Sequence, residues 1–351
     1  MDSLTQIVLG STVAALAVPA RHRRAALVAG AVLGTLPDLD ALPLMLVDDP
    51  VLRMTWHRGP SHSLLVLPLV GWLAWALLAR FSERVREAPR RWLAAVMLAL
   101  LTHPLLDAFT VYGTQLFWPI PSRPVMGSSV FIIDPAYTLP LLVGVAIAAF
   151  AGARRLAHRA LLAGAVLSSA YLGWSLAAKA MVDAAASRAL AAQGLGDAPR
   201  FSVPTPFNTL LWRVVAMTPD GFVEGERSLV ADAGPMRFRR HDSDTAALAA
   251  ARDVPAVRRL TWFNHGFEKA EVEEGRLVLS DLRMGQEPDY TFRFAVARRD
   301  GEAWTAIPPE QLRASMRMRG GFDALWTRIW HEPQAQAPGT ERSAQSLSSP
   351  R

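Results

Sequence analysis

With 351 residues, 51% hydrophobic and 19% charged, the chain is too apolar for an ordinary soluble protein and too charged to lie wholly in lipid. Zero cysteines exclude a disulfide framework and a thiolate zinc site. The net charge of +6 sits largely in arginine-rich connections, so membrane topology accounts for it and nucleic acid is excluded as a partner.

The N-terminal half carries six apolar stretches, at 4–18, 25–47, 64–81, 92–111, 137–151 and 160–178. Several approach the roughly 20 residues of a spanning helix, while the first and fifth are short. Asp2 precedes the first stretch and no basic residue comes before Arg21, so that stretch is read as a retained helix rather than a cleaved signal. Arginines fill alternate connections: Arg21, Arg23 and Arg24, then Arg80, Arg84, Arg86, Arg90 and Arg91, then Arg154, Arg155 and Arg159. Excess positive charge marks the cytoplasmic side. The N-terminus and the whole C-terminal half then fall outside.

Three polar clusters interrupt the apolar pattern: Pro37-Asp38-Leu39-Asp40, His57-Arg58-Gly59-Pro60-Ser61-His62-Ser63 and His103-Pro104-Leu105-Leu106-Asp107. Counting helices through puts all three at the outer edge. Ionisable groups beside membrane-length apolar runs are costly unless compensated, which makes them a functional hypothesis by default. His103 and Asp107, four apart, share one helical face, with Pro104 suggesting a kink or a helix start. Asp38 and Asp40 follow a proline in an extended or turning backbone. Gly59-Pro60 favours a tight turn folding His57 and His62 together.

Taken singly, a helix-end pair or an N-cap is the commoner explanation of the first and third clusters; jointly they favour a divalent metal. Imidazole with carboxylate suits zinc, and also manganese or iron. Six candidate ligands, Asp38, Asp40, His57, His62, His103 and Asp107, exceed one closed zinc site. Either some orient the others, or two ions share bridging carboxylates. The ion would activate water, and Arg58 would hold an anionic oxygen such as a phosphate. Ser61 and Ser63 are read as caps rather than nucleophiles, and Asp134 as the cap of the fifth stretch. His22, His158, His241, His265 and His331 are assigned to no site.

Beyond residue 180 the pattern changes. Residues 181–199 read as a linker helix, and 200–331 as a mostly antiparallel β domain ending in a helix over 311–330, interrupted at Gly320-Gly321. Asp220-Gly221 and Asp300-Gly301 mark hairpins between runs 209–217 and 222–230, and between 290–298 and 302–307. Runs 259–263 and 276–284 add β-like segments around Glu274-Gly275. From 332 to 351 the composition predicts a disordered tail. The fold expected is an α-helical integral membrane bundle of about six helices followed by a small antiparallel β domain.

Residues 1–6 (Met-Asp-Ser-Leu-Thr-Gln), Leu36-Pro37-Asp38-Leu39-Asp40, the His57 to Ser63 run, the His103 to Asp107 run and Tyr112-Gly113-Thr114-Gln115-Leu116-Phe117-Trp118-Pro119 together resemble the YdjM-type family of membrane-bound, metal-dependent hydrolases. The likeness covers about the first 180 residues and says little about the β domain. It implies a multi-pass bacterial inner-membrane protein, with Asp38, Asp40, His57, His62, His103 and Asp107 at the family's motif positions and a distant similarity to zinc-dependent phospholipase C. Many members carry histidine where this chain has Gln6. The expected activity is hydrolysis of an ester or phosphoester, lipid or envelope-derived, by metal-activated water. The alternative is a non-catalytic metal-stabilised scaffold or sensor. A transporter would place its charges near the midplane between repeated halves; neither is present. The oligomeric state is left open.

Overall fold

The computed structural model describes residues 1–301, 303–313 and 321–332. The N-terminal part is helical: α1 (Ser3–Ala17), α2 (Arg23–Thr35), α3 (Ala41–Leu44), α4 (Pro50–Trp56), α5 (Leu67–Phe81), α6 (Glu83–Glu87), α7 (Pro89–Asp107), α8 (Pro135–Ala151) and α9 (Arg155–Ala191), with short 3-10 turns at Leu36–Asp40 and Pro60–His62. Among the described residues two helices are long and apolar enough to cross a membrane, Ala20–Leu44 and Arg155–Ala191. Pro50–His62 with Leu67–Phe81, bent by 60°, makes a third if counted as one span. The expectation of six rested on stretches that local chemistry cuts short. Pro19 follows α1, which has 15 residues, and Asp134-Pro135 starts α8, which has 17.

Small residues let α1 and α2 pack backbone to backbone. A Cβ at Gly30 would stand 2.2 Å from the Gly10 carbonyl oxygen, so only glycine fits that crossing. Arginine-bearing connections gather at one end of the bundle. His22 Nε2 lies 2.9 Å from Glu87, Arg23 Nη1 donates to the Gly152 carbonyl at 2.7 Å, and Arg24 donates to the Ala149 and Phe150 carbonyls. The three polar clusters lie at the other end, with the 108–134 loop.

Helix α9 runs unbroken into the segment read as a linker and ends at Ala191, because Ala178, Val182, Ala186 and Ala189 carry its buried face onto a β-sheet. That sheet is antiparallel, in order β1 (Arg200–Pro204), β2 (Leu211–Thr218), β3 (Gly221–Ser228) and β4 (Phe238–Asp242). Two short helices follow, α10 (Thr245–Ala250) and α11 (Pro255–Phe263), then β5 (Glu268–Glu273), β6 (Arg276–Asp281), β7 (Gly285–Gln286), β8 (Asp289–Tyr290), β9 (Arg293–Asp300), β10 (Ala303–Gln311) and α12 (Gly321–Trp330). Strands β10, β9, β6 and β5 form the second antiparallel sheet, in that order, and β7 pairs with β8.

Both Asp-Gly hairpins form: Thr218 pairs with Gly221, and Asp300 with Ala303. Glu274-Gly275 turns β5 into β6. Residues 259–263 are helical, not extended. Pro255 sits in the first turn of α11 and Val257, Leu260 and Phe263 bury one face at helical spacing. Among the described residues the helix predicted over 311–330 covers Gly321–Trp330, and Gln311 ends β10 instead of starting the helix. Residues 314–320, with Gly320, and the tail from 333 lie outside the described residues.

The β part grips the helical part close to the clusters. Val51 and Met54 of α4 are buried in one core with Val257, Leu260 and Phe263 of α11 and with Leu277 and Phe294 of the second sheet. Val111 and Met126 of the 108–134 loop pack against the core holding Phe201, Val215 and Leu282.

Candidate metal centre

The three clusters converge. Asp38 comes from the 3-10 turn ending α2, His62 from the turn after α4, and His103 with Asp107 from the last turns of α7. Each offers one donor atom, and the four lie within 4.8 Å of one another. Pro104 lies inside the last turn of α7 rather than at a helix start, so His103 and Asp107 keep their shared face. His62 Nε2 and His103 Nε2 are 3.1 Å apart. Asp38 Oδ1 stands 3.4 and 3.3 Å from these nitrogens, and Asp107 Oδ2 3.3 and 3.5 Å. A tetrahedral ion with bonds of about 2.0–2.1 Å holds its donors about 3.3–3.4 Å apart, and these five separations suit a small divalent ion.

Proton positions point the same way. His103 Nδ1 is 2.6 Å from the Gly34 carbonyl oxygen. A carbonyl only accepts, so Nδ1 holds the proton and Nε2 the lone pair. Ser61 Oγ spends its single proton on Asp40 Oδ2 at 2.6 Å, which makes His62 Nδ1, 2.9 Å from that oxygen, the donor to Ser61. With both rings neutral, both Nε2 atoms are acceptors facing each other and two carboxylate oxygens. Protonating both rings would instead set two cations 3.1 Å apart. Asp107 Oδ2 is buried and accepts no hydrogen bond among the described residues. A metal ion at their centre would satisfy all four at once.

Asp40 and His57 stand beside this group, not in it. Asp40 accepts from His57 Nδ1 at 2.8 Å, from the Arg58 amide at 3.1 Å and from Ser61 Oγ. The six expected ligands thus divide into four donors and a neighbouring carboxylate–imidazole pair. The turn closes as expected, with the Gly59 amide on the Trp56 carbonyl and the His57 and His62 rings 6.0 Å apart, but it aims only His62 at the donors. Arg58, at φ 62°, turns its side chain inward. Its guanidinium lies 3.1 Å from Asp107 Oδ2, donates to Thr110 Oγ1 at 3.0 Å and covers the Tyr112 ring at 4.9 Å. It balances Asp107 and, being buried, is not open to a substrate anion.

From the first helix, Gln6 Nε2 donates to Asp107 Oδ1 at 3.0 Å and to the His103 carbonyl, and the Met1 amino nitrogen also contacts Asp107 Oδ1. Asp134 caps α8 as expected, whereas Ser63 accepts from the Leu65 and Val66 amides in the turn before α5, whose N-cap is Val66. Ser61 is not a cap. Its role as the orienting partner of His62 was missed, as was that of the Gly34 carbonyl; the hydroxyl beside a candidate ligand was the only available signal.

The family model of the YdjM inner membrane protein matches residues 1–182, the stretch that supplies all four donors. The chain belongs to the YdjM inner membrane protein family. No curated protein and no solved structure matches it. As a YdjM family membrane protein it has two apolar helices of spanning length and a buried Asp38, His62, His103, Asp107 group able to hold a metal ion.

Proposed function

We propose that this YdjM-family chain is a metal-dependent hydrolase of the bacterial inner membrane, acting on an ester or phosphoester of a lipid or envelope-derived molecule. The observation that carries the reading is the convergence of four side-chain donor atoms, from Asp38, His62, His103 and Asp107, within 4.8 Å of one another, bordered by a partly exposed Asp40–His57 pair. A bound divalent ion supplies Lewis acidity and makes water nucleophilic near neutral pH. The chain does the rest. Gly34 and Ser61 fix the tautomers of His103 and His62, and Arg58 offsets the charge of Asp107. Asp40 holds His57 through Nδ1, leaving Nε2 to take a proton from water and return it to a leaving oxygen. Asp38, Asp40 and His57 are 21%, 13% and 27% exposed in their side chains, while His62, His103 and Asp107 are closed off. Reagents therefore enter past Asp38. Leu39, Leu42, Met45 and Leu46, which follow Asp38 in the chain, are exposed, which suits an acyl chain.

In the topology that fits this reading, α1, α7 and α8 complete a multi-pass bundle of about six segments, the arginine end faces the cytoplasm and the β part lies outside. Support comes from the gathering of arginines at the end opposite the donors.

One observation favours a metal-stabilised scaffold instead: four protein donors can close a tetrahedral ion. Cobalt substitution separates the two readings. A d–d spectrum that shifts with azide or phosphate, together with ester turnover abolished in His57→Ala at unchanged cobalt content, supports hydrolysis. A spectrum indifferent to anions, with no turnover on an ester and phosphoester panel, sinks it.

A further inference from the structure

Helix α12 carries Phe322, Trp326 and Trp330 at four-residue spacing, all exposed, with successive ring centroids 6.4 and 5.7 Å apart. This ladder is a continuous apolar strip on a helix that is otherwise well fixed. Ile329 is buried, its carbonyl accepts from Ser228 Oγ at 2.6 Å, and Arg328 pairs with Asp232 at 2.6 Å. A strip of three large rings held outward in water is costly, and such strips mark interaction sites.

The fold places this helix at a defined height. Ser228 ends β3 opposite Leu211, and the Leu229 amide donates to the Leu210 carbonyl at 2.8 Å. Next in the chain, Thr209 Oγ1 lies 3.1 Å from both the Tyr171 hydroxyl and the Trp174 indole nitrogen of α9. The 20 residues from Arg155 to Trp174 span about 30 Å, the thickness of the bilayer hydrocarbon. Arginines stand at one end of that length, and Tyr171 and Trp174 take the interfacial position at the other. Helix α12 is thus tied, within a few residues, to the lipid–water boundary. Val230, two residues beyond the Ser228 that holds Ile329, is exposed as well.

We propose that α12 is an interfacial anchor whose aromatic ladder beds into the headgroup region of the bilayer that α9 spans. The partner is a lipid surface bound through apolar contact rather than charge, because the helix carries only Asp323 and Arg328, and Arg328 is already matched by Asp232 and Glu226. This inference rests on the membrane reading of α9 and is independent of hydrolysis. Seating α12 at the boundary would fix the tilt of the β part, and with it α4 and the His57–His62 turn.

A chain with no cysteine suits single-site labelling. Full-length Trp326→Cys carrying a nitroxide, one chain per lipid nanodisc, is expected to be relaxed several-fold more by lipid-soluble oxygen than by a water-soluble nickel chelate. Phe322→Cys should behave alike, and Ala324→Cys, on the water-facing side of the helix, should show the reverse. Equal nickel accessibility at 326 and 324 overturns the proposal. Protection of 326 from both reagents overturns it too, since that would mean cover by protein.

Discussion

In the β part the buried charges are finished pairs: Arg213 gives two nitrogens to Glu224 and a third to the Leu282 carbonyl, and Arg283 holds Asp281 through Nε and Nη2 while Nη1 serves the Tyr112 and Phe263 carbonyls. In the helical part an equally buried group, His62, His103 and Asp107 with Asp38 at its edge, turns four donor atoms on one another, and among the described residues only Asp107 Oδ2 of these has a cation beside it, Arg58 at 3.1 Å. Burial is the same in both places and completion is not. A charge that has found its partner holds the fold together, whereas a set that lacks one is built to receive something.

The contrast breaks most directly at His103. His103→Ala is expected to abolish metal binding, from one ion per chain to none by elemental analysis. In the native protein, metal at a thousandfold excess over its dissociation constant should add about 4 kcal/mol of stability that a chelator removes, and the variant should show no such increment. Retention of stoichiometric metal would mean that the four donors are a structural network after all. The converse experiment is Arg283→Met. It strands Asp281 and should cost about 3 to 5 kcal/mol in chemical denaturation, with metal stoichiometry unchanged; adding Asp281→Leu should restore much of the loss.

One group in the β part is paired yet still titrates, and it sharpens the comparison. Glu268 is buried, accepts from Asn264 Nδ2 at 2.8 Å and Thr261 Oγ1 at 2.6 Å, and desolvation pushes its pKa from 4.5 up to about 7. Below the unfolded value it is protonated in both states. Between 4.5 and about 7 the folded chain keeps a proton that the unfolded chain has released, so stability falls as pH rises. Above that window both states are ionised and the loss is complete, at about 3 kcal/mol. Glu268→Gln should flatten this slope. The wild-type minus variant difference at each pH cancels the metal's own pH dependence, and a difference that does not change with pH would show an ordinary carboxylate.

The sequence carried the convergence of the clusters better than their division of labour. His103 and Asp107 were legible because helical spacing alone fixes their shared face. Asp40 was not separable from Asp38, because which of two nearby carboxylates turns inward is decided by Ser61 and the Arg58 amide, both delivered by a turn whose left-handed Arg58 no pattern announces. Hairpins at Asp220-Gly221 and Asp300-Gly301 were legible because their turn residues act locally. Helix α11 was not: its Thr, Trp and Phe residues favour strands, and packing on Val51 and Met54, about two hundred residues earlier, overrides that preference. Hydropathy gave the number of apolar segments but not their lengths, for a related reason. Stretches such as α1 are apolar because they pack in a bundle, which does not by itself give them membrane length.

The smallest effects come from the two serines that flank His62. Ser61 touches the site only through His62 Nδ1 and Asp40, and Ser63 touches only the head of α5 and the Trp118 carbonyl. Removing the first hydroxyl frees His62 to take the other tautomer, so Ser61→Ala should weaken zinc binding about 10- to 100-fold with little change in the stability of the metal-free chain. Removing the second leaves the Leu65 and Val66 amides without their acceptor, so Ser63→Ala should cost about 1 kcal/mol of stability at unchanged zinc affinity. Competition titration with a chromophoric chelator reads the first quantity and denaturation of the metal-free chain the second. If both variants move both quantities together, the turn acts as one unit, and the distinction between groups that serve the ion and groups that serve the fold does not hold at this range.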